Sequence, residues 1–215
     1  MKFDKKSLIL YAVTDRTWLK GRRLYDVVRD SILGGATLIQ LREKNLSHND
    51  FKIEALEIQK LCKEFNIPLI INDDVELAIE INADGVHVGQ SDMEAGNVRA
   101  LIGNEKILGV SVATPEQAVL AESKGADYLG AGAVFQTGSK SDAVEVSHQT
   151  LKKICEAVSG KIPVVAIGGI NAKNLHELKG SGISGIAVIS AIFAAENIKE
   201  ASRNLRELSE NEFAN

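Results

Sequence analysis

The sequence predicts an α/β fold in which a single domain, residues 1–215, forms a (β/α)8 barrel of the TIM type. One observation is a set of eight short runs that are apolar almost throughout, as is typical of parallel strands covered on both faces. The other is that longer segments with helical spacing of apolar residues separate these runs. Each repeat averages about 27 residues, enough for one strand, one crossover helix and two short loops.

The predicted strands follow one another without a linker or a low-complexity tract between them. An open, doubly wound sheet of about six strands is the alternative, but no GxGxxG follows the first run. Closure into a barrel would remove both sheet edges. In chain order the runs are 8–13, 38–41, 68–71, 85–88, 107–110, 128–130, 163–167 and 185–189.

The segment after the second run shows the helical pattern well. Its apolar residues advance by steps of 4, 3, 4 and 3, which places them on one helix face, and Ser47 is positioned to cap the helix. Cys155 has a similar place in the helix after the sixth run, so both cysteines are predicted to be core residues. The predicted buried face of the earlier helix consists of Phe51, Ala55, Ile58, Cys62 and Phe65.

Glycines mark the ends of several predicted helices. Gly35, Gly125 and Gly182 each lie between a helix and the next strand, where the left-handed conformation that stops a helix favours glycine. This position explains about half of the excess of 18 glycines over 3 prolines.

The composition excludes several classes of protein. With 45% hydrophobic residues the chain is too apolar to be disordered, and a net charge of −4 does not indicate a nucleic-acid partner. The longest apolar runs, such as 67–71, are too short to cross a membrane. The two cysteines are far apart and outside any CxxC, and no signal-peptide pattern follows Met1, so we expect a cytoplasmic protein.

In a (β/α)8 barrel the chemistry lies at the carboxyl ends of the strands. After the second run, strand alternation places Gln40, Arg42 and Lys44 on one side, facing the barrel mouth. Two cations and an amide there suggest a polyanion such as a phosphate group, although a solvated charged loop would read the same way.

Acidic residues follow the next two strands. Asp73 and Asp74 come after the third run with Asn72, and Asp92 comes after the fourth, beyond His87. Asp73 and Asp92 opposite two cations suggest Mg²⁺ completed by phosphate oxygens and water. Helix N-capping is the alternative for these acids, and Asp74 is assigned to that role or to the surface.

The remaining strand ends suggest a second phosphate site. Ser111 follows the fifth run, and the long connection 131–146 contains a hydroxyl-rich segment around Lys140 that is typical of a binding loop. The seventh and eighth strands end at glycines and at a helix start, where such barrels commonly hold phosphate. We see no nucleophile–base pair, and His48, His148 and His176 are predicted to lie on helix surfaces.

These motifs, in this order, resemble the thiamine phosphate synthase (thiamine-phosphate pyrophosphorylase) family. The resemblance extends over nearly the whole chain, which makes it more specific than any one motif. The matching strings are YAVTD at 11–15, QLREK at 40–44, INDDVELA at 71–78, ADGVHVGQSD at 83–92, GVSV at 109–112, GADYLGAGAVFQTGSK at 125–140, PVVAIGGI at 163–170 and GIAVISAI at 185–192.

The resemblance implies a cytoplasmic transferase that joins hydroxymethylpyrimidine pyrophosphate to hydroxyethylthiazole phosphate, uses Mg²⁺ and releases pyrophosphate. It implies small-molecule substrates, no nucleic-acid or membrane partner, and a monomer or a homodimer. It also implies a dissociative mechanism without a protein base. By matched position the Mg²⁺ ligands would be Asp73 and Asp92, and the catalytic group would be Arg42, Lys44, Ser111 and Lys140.

The same resemblance divides the substrate contacts between two regions. The pyrimidine pocket would use Tyr11, His87 and Gln40, and the pyrophosphate would meet Gln40, Arg42, Lys44, Asn72, Ser111 and Lys140. The thiazole phosphate would meet Thr137, Gly169, Ile189 and Ser190, with Ser139 as a further substrate contact.

The chain departs from the family pattern at a few positions. Family members often carry histidine where this chain has Ala113, and Ser139 replaces a threonine but keeps the hydroxyl. A related thiazole tautomerase uses histidine where this chain has Ala133. That isomerase and a non-catalytic phosphate-binding barrel are the alternative functions.

Overall fold

A computed structural model of the chain describes residues 3–138 and 145–213 and shows a closed barrel of eight parallel strands. The strands are hydrogen-bonded in chain order, and β8 closes the barrel against β1, with Tyr11 opposite Ala187. The strands are β1 (Leu10–Val13), β2 (Leu38–Leu41), β3 (Leu69–Asn72), β4 (Gly85–Val88), β5 (Ile107–Val112), β6 (Tyr128–Ala131), β7 (Val164–Ile167) and β8 (Gly185–Val188). The predicted fold class is therefore confirmed.

Helices alternate with the strands, but not all in the same form. A 3-10 turn, Leu175–Leu178, takes the place of an α-helix between β7 and β8, and a one-turn helix precedes the last long one. The α-helices are α1 (Leu24–Leu33), α2 (His48–Glu64), α3 (Val75–Glu80), α4 (Ala95–Ile102), α5 (Pro115–Ser123), α6 (His148–Ala157), α7 (Ser190–Phe193) and α8 (Ile198–Phe213). No helix within residues 3–138 and 145–213 has both the length and the apolarity that crossing a membrane requires.

Alternate residues of each strand face two different apolar layers. Leu10 and Ala12 of β1 pack in the layer between barrel and helices, whereas Tyr11 and Val13 point into the barrel. Five strands are buried throughout and the other three are buried except at one or two positions, which explains why their sequences show no regular polar alternation.

Most of the predicted element features are confirmed, and several strand boundaries shift by one or two residues. The Ser47 hydroxyl caps α2 by accepting from the Asp50 N–H, and Cys62 and Cys155 are buried free thiols. Phe65 was predicted to be buried but is 37% exposed, because α2 ends at Glu64 and the backbone leaves the helical path there. The first strand begins at Leu10 rather than at 8, because Lys5–Leu8 forms a 3-10 turn.

Candidate active site

A cavity of about 490 Å³ opens at the carboxyl ends of the barrel strands. Every strand contributes at least one residue to its wall. Most of the residues singled out from the sequence line it, namely Tyr11, Gln40, Arg42, Lys44, Asn72, Asp73, His87, Asp92, Ser111, Thr137 and Ile189. A second cavity, of about 600 Å³, lies at the opposite end near the starts of β7 and β8, on the face that carries stability rather than chemistry in such barrels.

Five polar side chains form a hydrogen-bonded chain across the floor of the cavity. Gln40 Nε2 donates to the Tyr11 hydroxyl at 2.6 Å, and the hydroxyls of Tyr11 and Tyr128 are 2.7 Å apart. The Tyr128 hydroxyl lies 2.9 Å from His87 Nδ1, and His87 Nε2 lies 2.9 Å from Ser111 Oγ. Burial raises the pKa of both tyrosines well above their usual range, so both phenols are neutral at physiological pH.

The contact between His87 and Ser111 is one that the sequence analysis did not predict. The serine hydroxyl and an imidazole nitrogen lie within hydrogen-bond distance, at 2.9 Å. They meet because β4 and β5 are neighbours in parallel register, with His87 opposite Gly109, so both side chains point into the barrel. No pattern in the sequence marks this pairing, since 24 positions separate the two residues.

The cationic wall of the cavity is held from two sides. The Arg42 backbone N–H donates to the buried Thr14 hydroxyl at 2.9 Å, and Arg42 Nη1 lies 3.3 Å from Asp15 Oδ2. Glu43 points the other way and binds Arg16 Nε at 2.9 Å, which leaves Arg42 and Lys44 on the cavity side. The structure therefore shows the predicted alternation after the second strand, with Arg42 half-buried and Lys44 exposed at the cavity.

Asp73 and Asp92 line the cavity but do not cap helices. Asp73 has a left-handed backbone, with φ of 63°, and its Oδ2 accepts from Asn72 Nδ2 at 2.6 Å. Asp92 Oδ2 accepts from the Gly89 N–H at 2.7 Å. The caps of α3 and α4 are Asp74 and Glu94 instead, so the structure shows capping, of the two roles left open for Asp74, and excludes capping by the other two acids.

The donor set of the acidic wall fits a magnesium ion. Among the residues that the structure describes, no group of three or more His, Cys, Asp or Glu side chains converges as a metal cage. Mg²⁺, however, is commonly bound by one or two carboxylates with substrate phosphate and water completing the shell. Two carboxylates beside Arg42 and Lys44 in one cavity match that pattern.

The strand-seven and strand-eight side of the cavity is neutral. Its lining residues are Gly168, Ile189 and Thr137. The predicted residues Gly169 and Ser190 come directly after Gly168 and Ile189 in the sequence, and they do not line the cavity. A Cβ atom at position 169 would come within 2.4 Å of the Gln136 carbonyl oxygen. Close packing of this loop therefore explains why residue 169 is glycine. Ser139 and Lys140 lie outside the described residues.

Arg22 is a functional candidate that the sequence analysis missed. Its guanidinium donates to the Phe193 carbonyl at 3.0 Å and the Ala195 carbonyl at 3.4 Å, at the end of α7. It also donates to the carbonyls of Trp18 and Leu19 in the first loop. Arg22 thus ties the loop after β1 to the short helix that begins beside Ile189.

The histidines outside the cavity are on the surface, as predicted. His48, His148 and His176 are exposed. Among the described residues that line the cavity, His87 is the one histidine, and none of them is a cysteine. The arrangement can therefore hold two anionic groups and a cation, with Ser111 and the backbone as further hydrogen-bond donors.

Comparison with known proteins gives one consistent result. Residues 10–192 match the profile of a family described as "Thiamine monophosphate synthase". The chain is 54% identical over 196 residues to a thiamine-phosphate synthase of Clostridium tetani, which covers 91% of this chain and 93% of the relative. It is 50% identical over 205 residues to a thiamine-phosphate synthase of Ruminiclostridium cellulolyticum, with 95% and 97% covered.

A solved structure agrees with these relatives. A thiamine phosphate pyrophosphorylase from Pyrococcus furiosus superimposes with a TM-score of 0.87 at 40% identity, covering 96% of this chain and 98% of that one. The similarity therefore includes the whole barrel and its mouth.

Proposed function

The chain belongs to the thiamine monophosphate synthase family and is a transferase of that family, and from this premise we propose how its cavity performs the reaction. The substrates are hydroxymethylpyrimidine pyrophosphate and hydroxyethylthiazole phosphate. The observation that supports this assignment is a single cavity with a charged wall, made by Arg42, Lys44, Asp73 and Asp92, opposite a neutral wall at the ends of β7 and β8.

The charged wall binds the pyrophosphate. Arg42 and Lys44 offer cationic donors, and Asn72 of β3 and Ser111 of β5 line the same cavity. Asp73 and Asp92 are the residues that would hold Mg²⁺, which when bound supplies positive charge for the leaving pyrophosphate. The neutral wall binds the thiazole phosphate through Thr137 and the backbone beside Gly168 and Ile189.

The reaction is a displacement at the methylene carbon of the pyrimidine. The C–O bond to pyrophosphate breaks and its electron pair leaves with the pyrophosphate, giving a pyrimidine-methyl cation. The lone pair of the thiazole nitrogen then forms the new C–N bond. No proton has to be removed by the protein, so its contribution is charge stabilisation, orientation and exclusion of water.

The thiazole tautomerase alternative has no support in the cavity. The position where that reaction requires histidine is Ala133, which lines the cavity and carries no acid or base. Nor does the structure favour a binding-only barrel, because both the cations and the carboxylates of the charged wall are in place. The two buried free thiols suit a cytoplasmic enzyme, acting as a monomer or a homodimer.

A direct assay tests the proposed function. We expect the purified protein, given both substrates and Mg²⁺, to release pyrophosphate and form thiamine phosphate in equal amounts, and EDTA to stop the reaction. Absence of product would contradict the substrate assignment. Product formation that EDTA leaves unchanged would contradict the Mg²⁺ site alone.

Lys140, which lies outside the described residues, provides a second test of the proposed pyrophosphate site. We expect Lys140→Ala to lower turnover by about two orders of magnitude, since it removes a cation from the leaving pyrophosphate. The melting temperature should stay at the wild-type value. Lys63→Ala, which removes an exposed lysine of α2, is the matched control and should leave turnover unchanged. A large drop in melting temperature for Lys140→Ala would indicate a structural loop residue instead.

A further inference from the structure

Tyr128 occupies the centre of the hydrogen-bonded chain under the cavity. It is fully buried and does not itself line the cavity, yet its hydroxyl contacts both Tyr11 and His87. The five residues come from β2, β1, β6, β4 and β5, so the chain crosses the barrel interior from one wall to another. Its two ends, Gln40 and Ser111, both face the cavity.

The orientation of the Gln40 amide sets the direction of every hydrogen bond in this chain. With Nε2 placed on Tyr11, Gln40 donates, so the Tyr11 oxygen accepts and its single proton goes to Tyr128. The Tyr128 proton then goes to His87 Nδ1. Neutral imidazole carries one N–H, so that proton is on Nε2 and is donated to Ser111 Oγ.

This direction decides what Ser111 can do. A histidine that donates to the serine oxygen cannot remove the serine proton, so the pair does not activate a nucleophile. The Ser111 hydroxyl proton is instead left to point into the cavity. There it can donate to an anion that lies against the charged wall.

The backbone is shaped to admit this arrangement. Gly109 lies within β5, and a Cβ at that position would come within 2.2 Å of Tyr128 Cζ and 2.4 Å of His87 Nδ1. A Cβ on Gly130 would be 3.2 Å from His87 Cε1. Neither glycine has a positive φ, so backbone conformation does not explain why these residues are glycine. The space that the two rings occupy explains it instead.

We propose that Tyr128 is a positioning residue of the reaction, which keeps His87 in the Nε2–H tautomer and thereby directs the Ser111 hydroxyl proton to the substrate. The identity of that anion as the pyrophosphate rests on the proposed function. The tautomer itself does not, since it is a property of the protein without substrate.

Nitrogen-15 NMR of histidine-labelled protein tests the first half of the proposal. In the free wild-type protein we expect the His87 signals to report a proton on Nε2, with the assignment made by loss of those signals in His87→Gln. In Tyr128→Phe we expect the two tautomers to mix. A wild-type proton on Nδ1 would overturn the proposal, and this measurement needs no substrate.

Kinetics test the second half. We expect Tyr128→Phe to lower kcat about tenfold, because one hydrogen bond to a charged group is misdirected, with KM for the thiazole phosphate unchanged. Ser111→Ala combined with Tyr128→Phe should lose no more than Ser111→Ala alone, since Tyr128 acts through Ser111. Additive losses, or an unchanged kcat in Tyr128→Phe, would overturn the proposal.

The matched control changes the packing of Tyr128 but not its hydroxyl. Phe3 stacks on the Tyr128 ring with centroids 5.3 Å apart, and Phe3→Leu should leave both the His87 tautomer and kcat as in the wild type. A fluorophosphonate reagent should not label Ser111 in the wild-type protein, since the serine is not activated. Stoichiometric labelling at Ser111 would contradict the proposed direction of the bonds.

Discussion

Adjacent acidic residues at the end of β3 have different roles, and the backbone between them decides which. Asp73 takes a left-handed conformation and its side chain lies at the cavity, whereas Asp74 Oδ1 accepts from the Leu77 N–H at 2.8 Å. The sequence INDD is compatible with either order of roles. The tertiary contact of the Asp73 N–H with the His87 carbonyl, at 2.8 Å, fixes the observed order.

The two acids should therefore respond differently to substitution. We expect Asp74→Ala to lower the free energy of unfolding by about 1 kcal/mol, the usual cost of losing a helix cap, with kcat/KM unchanged. Asp73→Asn should instead reduce turnover at least tenfold and leave stability nearly unchanged, since asparagine tolerates the left-handed backbone. Urea unfolding and steady-state kinetics on both variants check this. Equal activity losses would contradict the division.

At the scale of elements, the neutral side of the cavity borders on a short helix that the sequence cannot stabilise by itself. The four residues of α7 make a single turn, and isolated helices so short do not persist in water. Arg22 supplies the missing support by donating to carbonyls at the carboxyl end of α7.

Removal of Arg22 should therefore affect one substrate more than the other. We expect Arg22→Ala to raise KM for the thiazole phosphate about fivefold, which corresponds to the loss of about 1 kcal/mol of positioning, and to leave KM for the pyrimidine pyrophosphate unchanged. The control is Arg23→Ala. The Arg23 side chain is 67% exposed, and Glu57 is its one salt-bridge partner among the residues that the structure describes. Equal shifts of both KM values would contradict a local role for Arg22.

At the scale of the whole molecule, the barrel closes where β8 meets β1. Gly185 begins β8, and a Cβ there would lie 1.9 Å from the Leu8 carbonyl oxygen. The obstructing atom is backbone, so it cannot move aside as the end of a side chain can. Closure therefore requires glycine at this position, although its φ is not in the left-handed region.

Gly185→Ala should weaken the whole barrel. We expect it to lower the free energy of unfolding by about 3 kcal/mol, the upper end of the cost of overpacking. Gly96→Ala in α4 is the control, because its Cβ would meet only the ends of the Glu94 and Lys124 side chains and alanine favours a helix. Urea denaturation measures both. An unchanged free energy of unfolding in Gly185→Ala would contradict the requirement for glycine at this position.

Local patterns were sufficient to predict the eight strands, the cap of α2, and the side on which Gln40, Arg42 and Lys44 lie. Each depends on the period of a strand or helix, or on hydrogen bonds within a few residues, so neighbours in sequence carry the information. The family resemblance then predicted the substrate class. Ser139 and Lys140 stay predictions.

The roles of Tyr128, Arg22 and Gly109 were decided only by the tertiary structure. Tyr128 meets Tyr11 across 117 positions of chain, and Arg22 meets Phe193 across 171. In the sequence, Gly109 is simply one apolar residue of a predicted buried strand. Its need to be glycine becomes clear only in the structure, where two rings from other strands approach it. The sequence by itself determined which strands form and that Gln40, Arg42 and Lys44 lie on the side of the mouth. Barrel closure decided which distant polar groups meet, because hydrogen-bond direction and close approach depend on atoms that no local pattern relates.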